Sequence, residues 1–141
     1  MAMSLASTAA AIGEVPIGAV IVANGKVVAT GFNLRETLAD PTFHAEMIAL
    51  RRASQVLTRW RLNDCSLYVT LEPCLMCAGA LYQSRIKEVV FGAWDPKGGA
   101  TGTLYHVHTD QRLNHNFPVI GGVLEDDCSK ILTNFFKDRR R

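Results

Sequence analysis

No apolar run in the 141 residues approaches the roughly 20 that span a bilayer. Internal repeats and low-complexity blocks are also missing. These absences exclude a helical membrane protein, a solenoid and a disordered chain. No Lys or Arg precedes the small apolar residues of Met1 to Gly13, so the charged start of a secretory signal is lacking. The expectation is a cytoplasmic protein with no membrane partner. Cysteines number only four, Cys65, Cys74, Cys77 and Cys128, too few for the disulfide framework of a small secreted domain. Charge is nearly balanced at +2, and the terminal Arg139, Arg140 and Arg141 alone lift it from −1.

What the chain does have is a core. With 48% hydrophobic and 20% charged residues, its length makes one domain, residues 1–141. Residues 2–12 are Ala-rich with Leu5, Ala9 and Ile12 at helical spacing. Ile17 to Ala23 and Val27 to Thr30 flank Asn24-Gly25, a strong hairpin signal because both turn positions need positive φ. Asp40-Pro41 reads as the opening of a helix to Leu57, and Pro73 as the opening of one to Gln83. Strands are expected at Leu67–Leu71, Val89–Phe91 and Pro118–Val123, with a glycine-rich loop from Asp95 to Gly102. A last helix, Asp126–Arg139, should turn Ile131, Leu132, Phe135 and Phe136 inward. Strands alternating with helices predict an α/β fold, a sheet covered by helices.

The chemistry concentrates in His44-Ala45-Glu46 and Glu72-Pro73-Cys74-Leu75-Met76-Cys77. Cysteines three apart share one helix face, and in a first turn the dipole favours their thiolates. With a histidine they make a good zinc set. Glu46 is then either a fourth ligand or a proton carrier, and Cys65, Cys128 or His115 could also complete a closed structural site. His106 and His108 suggest a second metal site less well than they suggest ordinary histidines. Met47 to Asn63 carries Arg51, Arg52, Arg59 and Arg61 with no acid, a stretch suited to phosphate or simply to solvent.

The H-x-E and P-C-x-x-C pair is a known signature of zinc-dependent nucleobase deaminases. More narrowly, residues 13–20, 40–46 and 68–74 resemble the bacterial tRNA-specific adenosine deaminases, as do Ser84-Arg85-Ile86, Phe91-Gly92-Ala93, Gly98-Gly99-Ala100, Leu113-Asn114-His115 and Phe135-Phe136. The resemblance implies a cytidine-deaminase-like three-layer α/β/α sandwich with a mixed sheet, one zinc per chain, a homodimer, and hydrolysis of the wobble adenosine of a tRNA anticodon stem-loop to inosine. It makes His44, Cys74 and Cys77 the metal ligands and Glu46 the catalytic proton shuttle. Asn33 would hold the target base, and Asp95, Lys97 and Asn114 neighbouring nucleotides. Without it, Asn33 reads as a turn residue and the others as loop chemistry. Three positions depart from the family: a first helix starting almost at Met1, Phe43 before the histidine, and Trp94 before the substrate loop. A deaminase of free guanine or cytosine, or of single-stranded DNA adenine, shares the chemistry. A non-catalytic zinc-stabilised RNA-binding module would have no use for Glu46.

Overall fold

The turn at Asn24-Gly25 forms as its sequence demands. In the computed structural model, which describes residues 1–139, both residues have positive φ, 53° and 74°. There β1 (Gly18–Ala23) folds back antiparallel onto β2 (Lys26–Phe32). β3 (Cys65–Leu71) pairs antiparallel with β1 and parallel with β4 (Glu88–Ala93). β5 (Val119–Ile120) adds a short parallel edge, giving the order β2-β1-β3-β4-β5. Its expected span of 118–123 shrinks because Gly122 takes a left-handed φ of 86° and turns the chain away. α1 (Ala2–Ala11) and α4 (Glu125–Arg139) cover one face of this mixed sheet, and α2 (Ala45–Leu57) and α3 (Leu75–Gln83) the other. Arg140 and Arg141 of the basic ending lie outside the described residues.

Leu67, Leu81, Ile86, Val89 and Phe91, all at most 1% exposed, fill the layers between sheet and helices. Burying each such side chain is worth about 1.5–3 kcal/mol. Cys65 and Cys128 are buried among the apolar residues, as small hydrophobes should be. Gly31 lets α2 press onto the sheet, since a Cβ there would overlap the carbonyl of Ala45. Among the described residues no helix is long and apolar enough to cross a membrane.

Three helix expectations need correction. α2 starts at Ala45 instead of Pro41, because Asp40 accepts hydrogen bonds from the N–H (2.8 Å) and hydroxyl (2.6 Å) of Thr42. That local turn keeps the chain extended through His44. α3 starts at Leu75 instead of Pro73, whose carbonyl accepts the N–H of Ala100 at 2.9 Å. His44 and Cys74 therefore both stand at N-cap positions. In α4, Cys128 is buried but Phe136 remains 46% exposed, so the inward face is narrower than its sequence pattern.

Candidate metal centre and active site

The pairings make β2, β3 and β4 end at one edge of the sheet. Asn33, Glu72 and Trp94 follow those ends directly, and the N-termini of α2 and α3 arrive beside them. There His44, Cys74 and Cys77 offer ligand atoms that all lie within 4.8 Å of one another. The His44 Nδ1 is 3.5 Å from the Cys74 Sγ and 3.6 Å from the Cys77 Sγ. A tetrahedral ion with nitrogen at about 2.0–2.1 Å and sulfur at about 2.3 Å sets that separation at about 3.6 Å. The donor set fits zinc.

Protonation of the group follows the same logic. Cys74 is held down to about 4, first by the hydrogen bond from Cys77 and then by the His44 ring, against the push of burial. Cys77, the hydrogen-bond donor and the more buried thiol, is pushed well above the usual thiol range. One thiolate and one thiol thus face a histidine whose own proton affinity is raised by Cys74. A divalent cation would take the place of the shared protons.

Glu46, in the first turn of α2, is only 4% exposed. Burial pushes its carboxyl up to about 7, and the charge on Cys74 adds to the push. A carboxyl that titrates near neutrality beside a metal group is suited to taking up and releasing protons. It is not one of the three clustered ligands.

Two further carboxylates, not singled out in the sequence, shape the walls. Glu14, 1% exposed, accepts the N–H groups of Glu36 (3.2 Å) and Thr37 (2.6 Å). It ties down the 33–44 segment that leads to His44. Burial opposes its ionisation, but the hydrogen bonds from Thr37 and Glu36 prevail and keep it below the ordinary 4.5. Glu72, also 1% exposed, accepts the N–H groups of Asp95 (3.0 Å), Thr101 (3.2 Å) and Thr103 (3.0 Å), and the Thr103 hydroxyl. A Cβ at Gly99 would overlap this carboxyl, so only glycine lets the 95–103 loop close over it.

Asn33 is buried; its amide donates to the Val15 carbonyl (3.4 Å) and accepts from the Arg35 N–H (3.2 Å). Each end of the amide keeps spare capacity toward the cleft. Asp95 accepts the N–H groups of Lys97 (3.0 Å) and Gly98 (3.2 Å), while the Lys97 side chain is exposed. Asn114 is not brought to this edge. It is exposed beside His115, whose Nε2 meets the Ile86 carbonyl at 2.8 Å, beyond the C-terminal end of α3. The nine residues of α3 separate that end from the thiols by about 13 Å. Cys65, Cys128 and His115 stay apart from the ligands, and His106 and His108 join no metal-holding group among the described residues. Of the four arginines, Arg52 is engaged by the Thr30 carbonyl and Arg59 by Asp64, Arg51 lies over Phe43, and Arg61 over Trp60.

The MafB19-like deaminase family matches residues 1–140 of the chain. The tRNA-specific adenosine deaminase of Bacillus subtilis strain 168 is 52% identical over 129 residues, 92% of this chain and 80% of that protein. Its namesake in Haemophilus influenzae is 49% identical over 140 residues, 99% of this chain and 81% of that protein. A solved structure from work on A-to-I editing by tRNA:A34 deaminases at the wobble position of transfer RNA has a TM-score of 0.90. It is 41% identical, with 93% of this chain and 95% of that one covered.

Proposed function

Because the chain belongs to the MafB19-like deaminases and, among them, to the tRNA-specific adenosine deaminases, we propose that it hydrolyses adenosine at the wobble position of a tRNA anticodon loop to inosine and ammonia. The observation that carries this reading is the buried carboxyl of Glu46 beside three clustered zinc donors. One zinc per chain, held by His44, Cys74 and Cys77, would supply the Lewis acidity that makes water nucleophilic near neutral pH. Glu46 takes a proton at its carboxylate oxygen and delivers it to N1 of the purine, then to the departing amine at C6. Asn33 holds the base with the free donor and acceptor of its amide. Asp95 and Lys97 meet adjoining nucleotides, and Asn114 meets RNA away from the target base. A base must leave its stack to reach the site, which costs least in a single-stranded loop.

The whole chain would act as one deaminase domain, in the cytoplasm, and as a homodimer. An open groove of about 690 Å³ across α2 and α3, with Met47, Leu50 and Ala80 in its walls, supports the second copy. Light scattering that returns the monomer mass would remove it. The catalytic reading is tested by incubating the zinc-loaded protein with tRNA, adenosine, cytidine and guanine. Inosine in tRNA is the expected product, and Glu46→Ala should lower turnover at least ~10²–10⁴-fold while keeping the metal. Turnover of free guanine or cytidine in preference to tRNA would overturn it.

A further inference from the structure

A groove of about 790 Å³ runs between the 94–97 segment and α4, with Val15, Trp94, Lys97, Phe136 and Lys137 among its walls. It opens at the sheet edge that carries the metal group. Val15, whose carbonyl receives the Asn33 amide, is shared by both, and Asp95 lies in the groove wall. Two large aromatics that the core leaves uncovered meet in this groove, Trp94 at 44% and Phe136 at 46% exposure.

Neither ring is loose. The buried Phe91 meets the indole edge-on, with centroids 4.7 Å apart. A Cβ at Gly121 would come within 2.8 Å of the indole, and one at Gly102 within 2.9 Å, so the backbone closes on the ring from both segments. Phe136 is backed by Phe135 at 5.4 Å, which itself lies beneath Arg139. An indole fixed this firmly yet left half open is a surface on which another flat group can lie. Lys97 and Lys137 are exposed and in no ion pair among the described residues. Asp95, the acid in the wall, is already turned toward the N–H groups of Lys97 and Gly98.

A planar apolar platform flanked by free ammonium groups is what a nucleotide needs, a π-face for its base and cations for its phosphate. We propose that Trp94 and Phe136, flanked by Lys97 and Lys137, form a stacking subsite for the unpaired nucleotide next to the target adenosine. The subsite rests on the RNA reading above and adds a second anchored base to it. An incoming peptide would find two cations and aromatic faces here but no unpaired edge strand to extend.

The test uses the indole as its own reporter. Trp60→Phe leaves Trp94 as the sole tryptophan, and the probe is an anticodon stem-loop RNA already carrying inosine at the target position, which binds without reacting. Saturable quenching of Trp94 emission is expected, with affinity falling roughly 5- to 150-fold in Trp94→Ala, the range of one lost base–aromatic stack. Removing one flanking base from the RNA should weaken binding as much, and combining it with Trp94→Ala should add nothing further. Independent losses on both changes, or an indole whose emission and replacement leave binding unmoved, would make Trp94 packing only and overturn the subsite. If Trp94→Ala fails to fold, quenching together with Lys137→Ala decides: the lysine change should flatten the salt dependence by about 0.7 in log–log slope. A reference protein that neither binds nor deaminates the stem-loop sinks the proposed function itself. Deamination with a silent indole sinks the subsite alone.

Discussion

Replacing Glu72 by Gln changes almost no volume and alters only what the buried carboxylate can accept. One of its oxygens takes the Asp95 N–H and the Thr103 hydroxyl, the other the N–H groups of Thr101 and Thr103. With the Gln oxygen facing Thr101 and Thr103, its NH2 group faces the Asp95 N–H, donor against donor. An unpaired buried N–H costs about 1–3 kcal/mol, whereas the Thr103 hydroxyl can rotate to accept. The two surviving bonds lose charge assistance and roughly half their strength, about 1–2 kcal/mol together. The expected loss is therefore about 2–5 kcal/mol, a large share of the ~5–15 kcal/mol of a folded domain. Urea unfolding should show a lower midpoint at unchanged slope. Zinc should remain, because the ligands are untouched, while KM for a stem-loop substrate rises more than kcat falls as Asp95 and Lys97 loosen. Gly99→Ala, which pushes a methyl into the same carboxyl, should reproduce the pattern from the other side. A loss under about 0.5 kcal/mol with normal KM would refute the idea that this carboxylate holds the loop.

Cys74→Ser should take metal content from one zinc per chain to a small fraction, while Cys65→Ser should leave it intact. Full stoichiometry in the first variant, or two tightly held zincs in the parent, would contradict the donor set. Glu14→Gln should lower Tm at pH 7 by roughly 4 °C for each kcal/mol lost, with about 1–3 kcal/mol expected from its two backbone bonds. Since hydrogen bonds from Thr37 and Glu36 hold Glu14 below 4.5 against burial, its contribution is present above that pH. It is lost as pH falls through the depressed folded-state value. The gap between parent and variant should therefore close in acid, and a constant gap from pH 7 to 3 would exclude this origin. Arg61→Ala should reduce the salt slope of RNA binding by about 0.7; an unchanged slope means that Arg61 is ordinary solvated charge.

Features specified by neighbours in the chain were legible in the sequence. Asn24-Gly25 dictates its own turn, and Cys74-x-x-Cys77 places two sulfurs together whatever surrounds them. Features specified across the chain were not. The donors to Glu14 lie 22 and 23 residues away and those to Glu72 lie 23 to 31 away, so no local window relates them. The one hint was an acid abutting the apolar run Leu67–Leu71, where a lone charge must find partners or stay exposed. Arg52 and Arg59 look like phosphate ligands in sequence, but a carbonyl and a carboxylate from other segments claim them. The half-open state of Phe136 depends on where the 94–97 segment lies, which helical spacing does not encode.

The carboxylates of Glu14 and Glu72 grip their loops mainly by backbone N–H, a group common to every residue but proline. Positions 36, 37, 95, 101 and 103 are thus barred to proline, yet at 36, 37 and 101 the observed grip asks nothing of the side chain. A lineage can exchange those side chains, and with them the surface offered to a substrate, without redrawing the path of either loop. Selection on what is read and selection on what is cut are uncoupled by two buried acids. Grafting loop sequences between distant relatives should succeed wherever both acids are kept, and fail where one is lost even if the graft is conservative.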